Sequence, residues 1–236
     1  LAAVFIVVII TISAIPSWSQ DPGLSVDCRR STFADDFDSR PARAPTARSE
    51  AQLRSLVDRP AQLTASADWI DHAEARIETV TDYHVVYAGT SEQFLSVAQD
   101  DPRVVNYVPN LVYSTILCDA PDGTSRIHQR FELNVLFLSI VSEIVLDVRH
   151  FGPTEGRGYT EWLLYEGIDS DLVYSYGSFY AETVDIGGAP HVYVRHYART
   201  GIRTGIIGAR AIVGASLDGQ IKEWLDAISQ EMFRQY

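Results

Sequence analysis

The sequence predicts an α+β fold, a curved antiparallel sheet wrapped around one long C-terminal helix. Three observations predict it. Leu217, Ile221, Leu225, Ile228 and Met232 fall at helical spacing near the C-terminus and form one apolar stripe, which Trp224 widens. Between residues 111 and 200 the chain is a succession of β-rich runs separated by turn residues. Residues 90–110 place a capped helix and a proline-bounded turn ahead of those strands. One amphipathic helix after an antiparallel meander needs a sheet to lie on.

Each element has its own local reason. RIETVTDYHVVYAG, from Arg76, reads as the first strand, with Val85, Val86 and Tyr87 at its end. Ser91 reads as a helix cap, with Glu92 in the first turn where the helix dipole favours it and Phe94, Leu95 and Ala98 as the apolar face. Asp101-Pro102 opens a second helical turn that Pro109 stops. Leu111–Leu117 is the next strand. Pro121-Asp122-Gly123 is a turn, since proline sets φ and glycine accepts positive φ. Residues 126–140 read as one long strand with Phe131, Leu133, Val135 and Phe137 inward. In 142–150, Ile144, Leu146 and Val148 face inward and Glu143, Asp147 and Arg149 face water. Strands over 158–166, 172–183 and 191–200 follow. The glycine-rich stretch 201–215 reads as a flexible connector into the last helix.

The first 75 residues read differently. Residues 1–19 carry no charge, and their short apolar run suits a signal peptide, with an uncleaved N-terminal anchor as the rival. Residues 20–75 read as a polar linker and a short helical extension, with Leu53, Leu56 and Val57 on one helix face and a further turn, or a lead into the sheet, over 66–74. Residues 76–236 form the domain proper. Export, periplasmic or extracellular, implies an oxidising compartment. Cys28 and Cys118 then either pair, tying the extension to the domain, or remain two independent thiols.

The formal net charge of −12 argues against nucleic acid, whose phosphates demand a basic face. It also opposes an anionic membrane surface, except for transient contact through a local basic patch. There is no HExxH, no Cys-x-x-Cys, no GxSxG, no P-loop and no dinucleotide fingerprint. His191 and His196 are five apart, which puts them on opposite faces of a strand. No metal and no cofactor are therefore expected.

The order strand, two short helices, six antiparallel strands and a long helix is that of the helix-grip fold. Three segments, VYAGTSEQFLSVAQD (86–100), VVNYVPNLVYSTIL (104–117) and GTSRIHQRFEL (123–133), together with the C-terminal helix, resemble the START-like (SRPBCC) superfamily, also called the polyketide cyclase/dehydrase and lipid transport group. The resemblance covers about residues 76–236. It implies a cavity between sheet and helix that binds lipids, quinones, sterols or polyketides.

The leading expectation is a non-enzymatic binding or transfer protein for a hydrophobic small molecule. The wall is assigned to Tyr107, Phe131, Leu133, Val135, Tyr174, Tyr176, His196 and Trp224. Tyr174, Tyr176 and Tyr180 share a strand face that lines the cavity, meets solvent or lies under the helix. His196 shares a face with Val192 and Val194. The 201–215 connector and the 101–109 turn are the segments expected to gate entry. The rival is a cyclase/dehydrase-type enzyme using His196 or a pocket tyrosine as acid or base.

Overall fold

Eight antiparallel strands form one curved sheet in the computed structural model, in the order β1-β2-β8-β7-β6-β5-β4-β3. The structure describes residues 27–29, 33, 48–71, 76–135, 138–203 and 209–236; the side chains of 61–66, 69, 71, 133–135, 138–140, 169 and 209–218 lie outside that description. The elements are α1 (Glu50–Arg54), β1 (Ala61–Asp71), β2 (Arg76–Ala88), α2 (Ser91–Ala98), a 3-10 turn (Val104–Asn106), β3 (Leu111–Asp119), β4 (Ser125–Val135), β5 (Leu138–Thr154), β6 (Arg157–Asp169), β7 (Leu172–Ile186), β8 (Ala189–Arg203) and α3 (Ala209–Gln235). The expected signal or anchor segment, 1–19, and most of the expected linker fall outside the described residues.

The α+β helix-grip arrangement predicted from the sequence is the one observed. Ile221, Leu225, Ile228 and Met232 of α3 are buried, and they pack with Phe94 and Leu95 of α2 and with Tyr83, Val85 and Tyr87 of β2. The Tyr87 hydroxyl donates to Asp226 at 3.0 Å, which pins α3 over β2. Full burial of each large apolar side chain is worth about 1.5–3 kcal/mol, so this cluster holds the helix to the sheet.

Several expectations are corrected. The sheet starts earlier than Arg76: β1 pairs with β2 along nearly its whole length and forms one edge. Its sequence, AQLTASADWID, alternates apolar and polar residues from Ala61 to Trp69, a strand signal that was overlooked. Residues 126–140 are not one strand. Val135 pairs with Leu138, so the chain reverses there, and apolar residues on both sides of the reversal hide it. Thr90, not Ser91, caps α2; its side chain accepts from the Gln93 amide, and Gln93 answers to the Thr90 backbone. The connector is shorter than 201–215, because β8 runs through Arg203 and α3 begins at Ala209; residues 204–208 lie outside the described residues.

Asp147 does not face water. It is fully buried on the outer face of the sheet, opposite Arg126 on β4. The two form a bidentate pair at 2.6 and 2.9 Å, and the Arg126 guanidinium also lies 3.5 Å from the centre of the Tyr165 ring. The N-terminal segment covers them. Cys28 is disulfide-bonded to Cys118 of β3, the Asp27 carbonyl accepts from Arg126, and Phe33 lies against Arg149. Outward alternation was read correctly, but a surface that the chain itself covers is not water.

Arg126→Met removes the bidentate guanidinium from the buried Asp147 carboxylate. Urea denaturation is expected to show a loss of about 3–5 kcal/mol, much of it recovered in Arg126→Met/Asp147→Leu. A single variant as stable as the parent would contradict a buried pair.

Candidate functional site: a cavity between sheet and helix

The inner face of the sheet carries two apolar clusters. One joins α2, α3, β2, β7 and β8; the other is Ile127, Ile144, Leu146 and Val148 on β4 and β5. Phe131 and Trp162 touch both. Between the clusters lies a cavity of about 400 Å³. Its walls include Ile144, Leu146 and Val148 on one side and Phe179, Ile221 and Trp224 on the other. Pro109 and Asn110, both exposed, stand at its rim.

β7 explains how the hollow stays open. Leu172 points in, a bulge follows between Leu172 and Tyr174, and the inward positions then fall to Ser175, Gly177 and Phe179. A Cβ on Gly177 would stand 2.3 Å from Trp162 Cζ2 and 2.3 Å from the Tyr197 carbonyl. Only a glycine lets the Trp162 indole lie flat against that strand. The ring stands 5.5 Å from Phe179 and 5.7 Å from His196, centre to centre.

His196 sits in the middle of this aromatic wall. It is 2% exposed, with Phe179 at 4.8 Å and Trp224 at 6.1 Å between ring centres. Burial drives its pKa from 6.5 down to about 4 against the opposing charge of Asp82, so the ring is neutral at neutral pH. Nδ1 of His196 and Nε1 of Trp224 are both buried with no hydrogen-bond partner. At the mouth, His150 Nε2 lies 2.8 Å from an Asp101 carboxylate oxygen, and its Nδ1 lies 2.9 Å from the Thr160 hydroxyl. Gln99 Nε2 donates to Thr160 Oγ1 at 3.3 Å. These contacts fasten the 99–110 segment to β5 and β6.

Of the residues assigned to the wall, Phe131, His196 and Trp224 stand on it. Leu133 and Val135 belong to β4, but their side chains lie outside the described ones. Tyr107 does not line the cavity: its hydroxyl donates to the Val97 carbonyl at 2.7 Å, tying the 3-10 turn to α2. Tyr174 and Tyr176 are on the outer face. Tyr174 donates to Glu78, and Tyr176 accepts from Arg199 at 3.4 Å. Gly201 makes room for the Tyr174 ring, whose nearest atom is 2.4 Å from where a Cβ would be. A phenol satisfies its hydroxyl more readily beside surface charges than in an apolar hollow. Trp162 and Phe179 were missed as wall residues. The alternation Thr160, Trp162, Leu164 was a usable signal, but Phe179 shows its face only once the bulge in β7 is known.

No family model matches the chain, and no curated protein is detectably similar in sequence. Solved structures do match in shape. The Zhui aromatase/cyclase from Streptomyces sp. R1128 superposes with a TM-score of 0.52 at 15% identity, over 67% of this chain and 95% of that one. Human StAR-related lipid transfer protein 5 gives 0.51 at 8% identity, over 73% and 88%. The chain therefore has the START-like fold.

The neutral His196 makes a pH prediction. As pH falls, the unfolded chain gains this proton near 6.5, whereas the folded chain gains it only near 4. Stability is therefore lost on acidification across that window, by about 3 kcal/mol from this one group. His196→Phe should show a smaller drop than the parent between pH 7 and pH 4.5 in urea titrations. Parallel curves would mean that His196 is not held neutral.

Proposed function

We propose that the protein binds and carries a hydrophobic small molecule, without covalent chemistry, in the hollow between sheet and α3. The observation that carries this reading is the cavity itself: about 400 Å³, mostly apolar, and bounded by two clusters that do not close on each other. That volume suits one drug-sized guest, whose transfer from water supplies the affinity at roughly 25 cal/mol per Å² of apolar surface buried. The lipid transfer protein and the aromatase/cyclase that share the fold support an apolar guest in general. Fold alone does not choose the ligand. Export is part of the proposal, supported by the Cys28–Cys118 bridge, a bond that persists in oxidising compartments.

Entry is assigned to the 99–110 segment. It forms part of the wall through Val104 and Val108 and reaches the surface at Pro109 and Asn110. The His150–Asp101 and Gln99–Thr160 contacts are its latch. The other segment expected to gate, the connector before α3, includes residues outside those described and is given no role.

The test uses the uncharged fluorophore N-phenyl-1-naphthylamine. Saturable one-to-one binding is expected, lost in Leu146→Trp, which fills the hollow; the variant's thermal melt verifies that it folds. Absent or non-saturable binding by the parent would overturn the reading.

For the latch, stopped-flow mixing of the same probe with His150→Ala should give association and dissociation rates that both rise, by about ten-fold if one charge-assisted contact of about 1.5 kcal/mol is lost. Affinity should change much less. Unchanged rates would place the entrance elsewhere.

A further inference from the structure

We infer that the guest is a cation, an apolar body with a protonated amine at one end, and that Asp101 at the mouth of the hollow receives the amine. The inference rests on the cavity-binding reading above and specifies the head group of its ligand.

Charge on the wall is one-sided. Among the described residues that line the cavity there is no arginine or lysine, and the ionisable side chains are Asp101 and His196. His196 is held neutral by burial, and the carboxylate that bears on it is Asp82, not Asp101. Asp101 is therefore the one charged group of the wall. Carboxylates on the outer face of the sheet are treated differently. Asp82, Glu78 and Asp147 are each gripped through both oxygens by the fork of an arginine, Arg195, Arg199 and Arg126 in turn. Asp101 has no such fork. Its Oδ2 accepts from Nε2 of His150 at 2.8 Å, and its Oδ1 takes no hydrogen bond among the described residues. The neighbouring Arg103 turns away: its side chain is 72% exposed and lies 3.5 Å from Asp100. Nor is Asp101 sealed in, since 14% of its side chain is accessible. The latch contact thus uses one oxygen and leaves the other on offer.

The chemistry of that oxygen fixes the class of head group. A carboxylate only accepts, so the guest must donate, and a charged donor bonds it about twice as strongly as a neutral one. An ammonium donates one N–H to Oδ1 and keeps its others in water at the mouth, so its charge is not stripped of solvent on binding. A carboxylate or phosphate head would meet like charge there, with no arginine or lysine on the wall to offset it. The surroundings have the same sign. Burial first, and then the negative charges of Asp100, Glu231 and Asp101, push the Tyr107 phenol up, with Arg103 opposing. Inside the mouth the wall turns aromatic at Trp162, Phe179 and Trp224, which suits a ring as the apolar body.

The test compares 1-naphthylmethylamine, 1-naphthalenemethanol and 1-naphthoate by calorimetry at neutral pH, a cation, a neutral molecule and an anion of one ring system. The amine is expected to bind about ten-fold more tightly than the alcohol, the worth of one charge-assisted hydrogen bond, and the naphthoate more weakly than either. Asp101→Asn keeps an acceptor for His150 but removes the charge, and should cut the amine preference to below about three-fold. Asp101→Glu should retain most of it. Glu155→Gln removes the same unit of charge from an exposed turn outside the wall and should keep the full preference. Equal affinities for amine and alcohol, tighter binding of naphthoate, or a preference that survives Asp101→Asn would overturn the head-group assignment and leave the cavity reading standing. So would a preference lost equally in Glu155→Gln, which would mark an effect of net charge. Failure of all three probes to bind would overturn the assignment, and failure of the uncharged fluorophore as well would overturn the cavity reading with it.

Discussion

The structure depends on how far one helix can reach across one sheet. The buried stripe of α3 covers β2 and α2, and it extends to β7 and β8 through Phe179, Val192 and Val194. It also packs on β1, but among the described residues it does not cover β4 and β5. Their inward side chains Ile127, Ile144, Leu146 and Val148 form a cluster of their own. A sheet of eight strands is simply wider than a helix. Across the curved sheet, among the described residues, the two clusters meet through Phe131 and Trp162. The cavity is thus a consequence of geometry rather than of missing side chains, and it is kept from collapsing by the rings that bridge it.

The outer face obeys the opposite rule. Where the inner face is hollow, the outer face is closed, by ion pairs across the strands and by an apolar cluster of Leu56, Val86, Tyr180, Ile186 and Tyr193. Arg126 and Asp147 pair across β4 and β5, Arg195 and Asp82 across β8 and β2, and Arg199 and Glu78 likewise. Each pair sits on directly facing or diagonal strand positions, where opposite charges add to sheet stability. The first pair is buried because the Cys28–Cys118 bridge holds the N-terminal segment over it. Closing a loop of some 90 residues, such a bridge restricts the unfolded chain by about 4–5 kcal/mol in the loop-entropy account. At Arg48, the guanidinium reaches the buried His84 and Tyr193 and anchors the approach to α1 in the same way. The described parts of the expected extension ahead of β1, residues 27–29, 33 and 48–58, therefore lie on the sheet's outer surface.

Legibility in the sequence follows the range of the forces. The α3 stripe, the Pro121–Gly123 turn and the inward set Ile144, Leu146 and Val148 are set by neighbours a few residues away, and they were readable. The same holds for the general architecture. What failed needed long-range knowledge. Whether Tyr174 faces in or out is decided by Glu78, nearly a hundred residues earlier, and by the bulge that shifts the alternation. Burial of Asp147 depends on a segment tied down through a cysteine far from it. β1 was missed although Ala61, Leu63, Ala65, Ala67 and Trp69 alternate with polar residues, because three of those five are alanines and give only a weak hydrophobic signal. For the site, the residues found were those whose alternation was unbroken up to the cavity, Phe131 and His196, and the one that widened a helical stripe, Trp224.

His196 shows how a polar ring can be part of an aromatic wall. A leucine there would fill the wall without any unpaired atom, and a charged side chain would demand a counter-ion that the cavity does not supply. A neutral imidazole among three aromatic rings does neither. It keeps the wall aromatic, and its low proton affinity leaves it uncharged, at the cost of one buried nitrogen without a hydrogen-bond partner. Such an atom costs about 1–3 kcal/mol, which the packing of the surrounding rings has to offset.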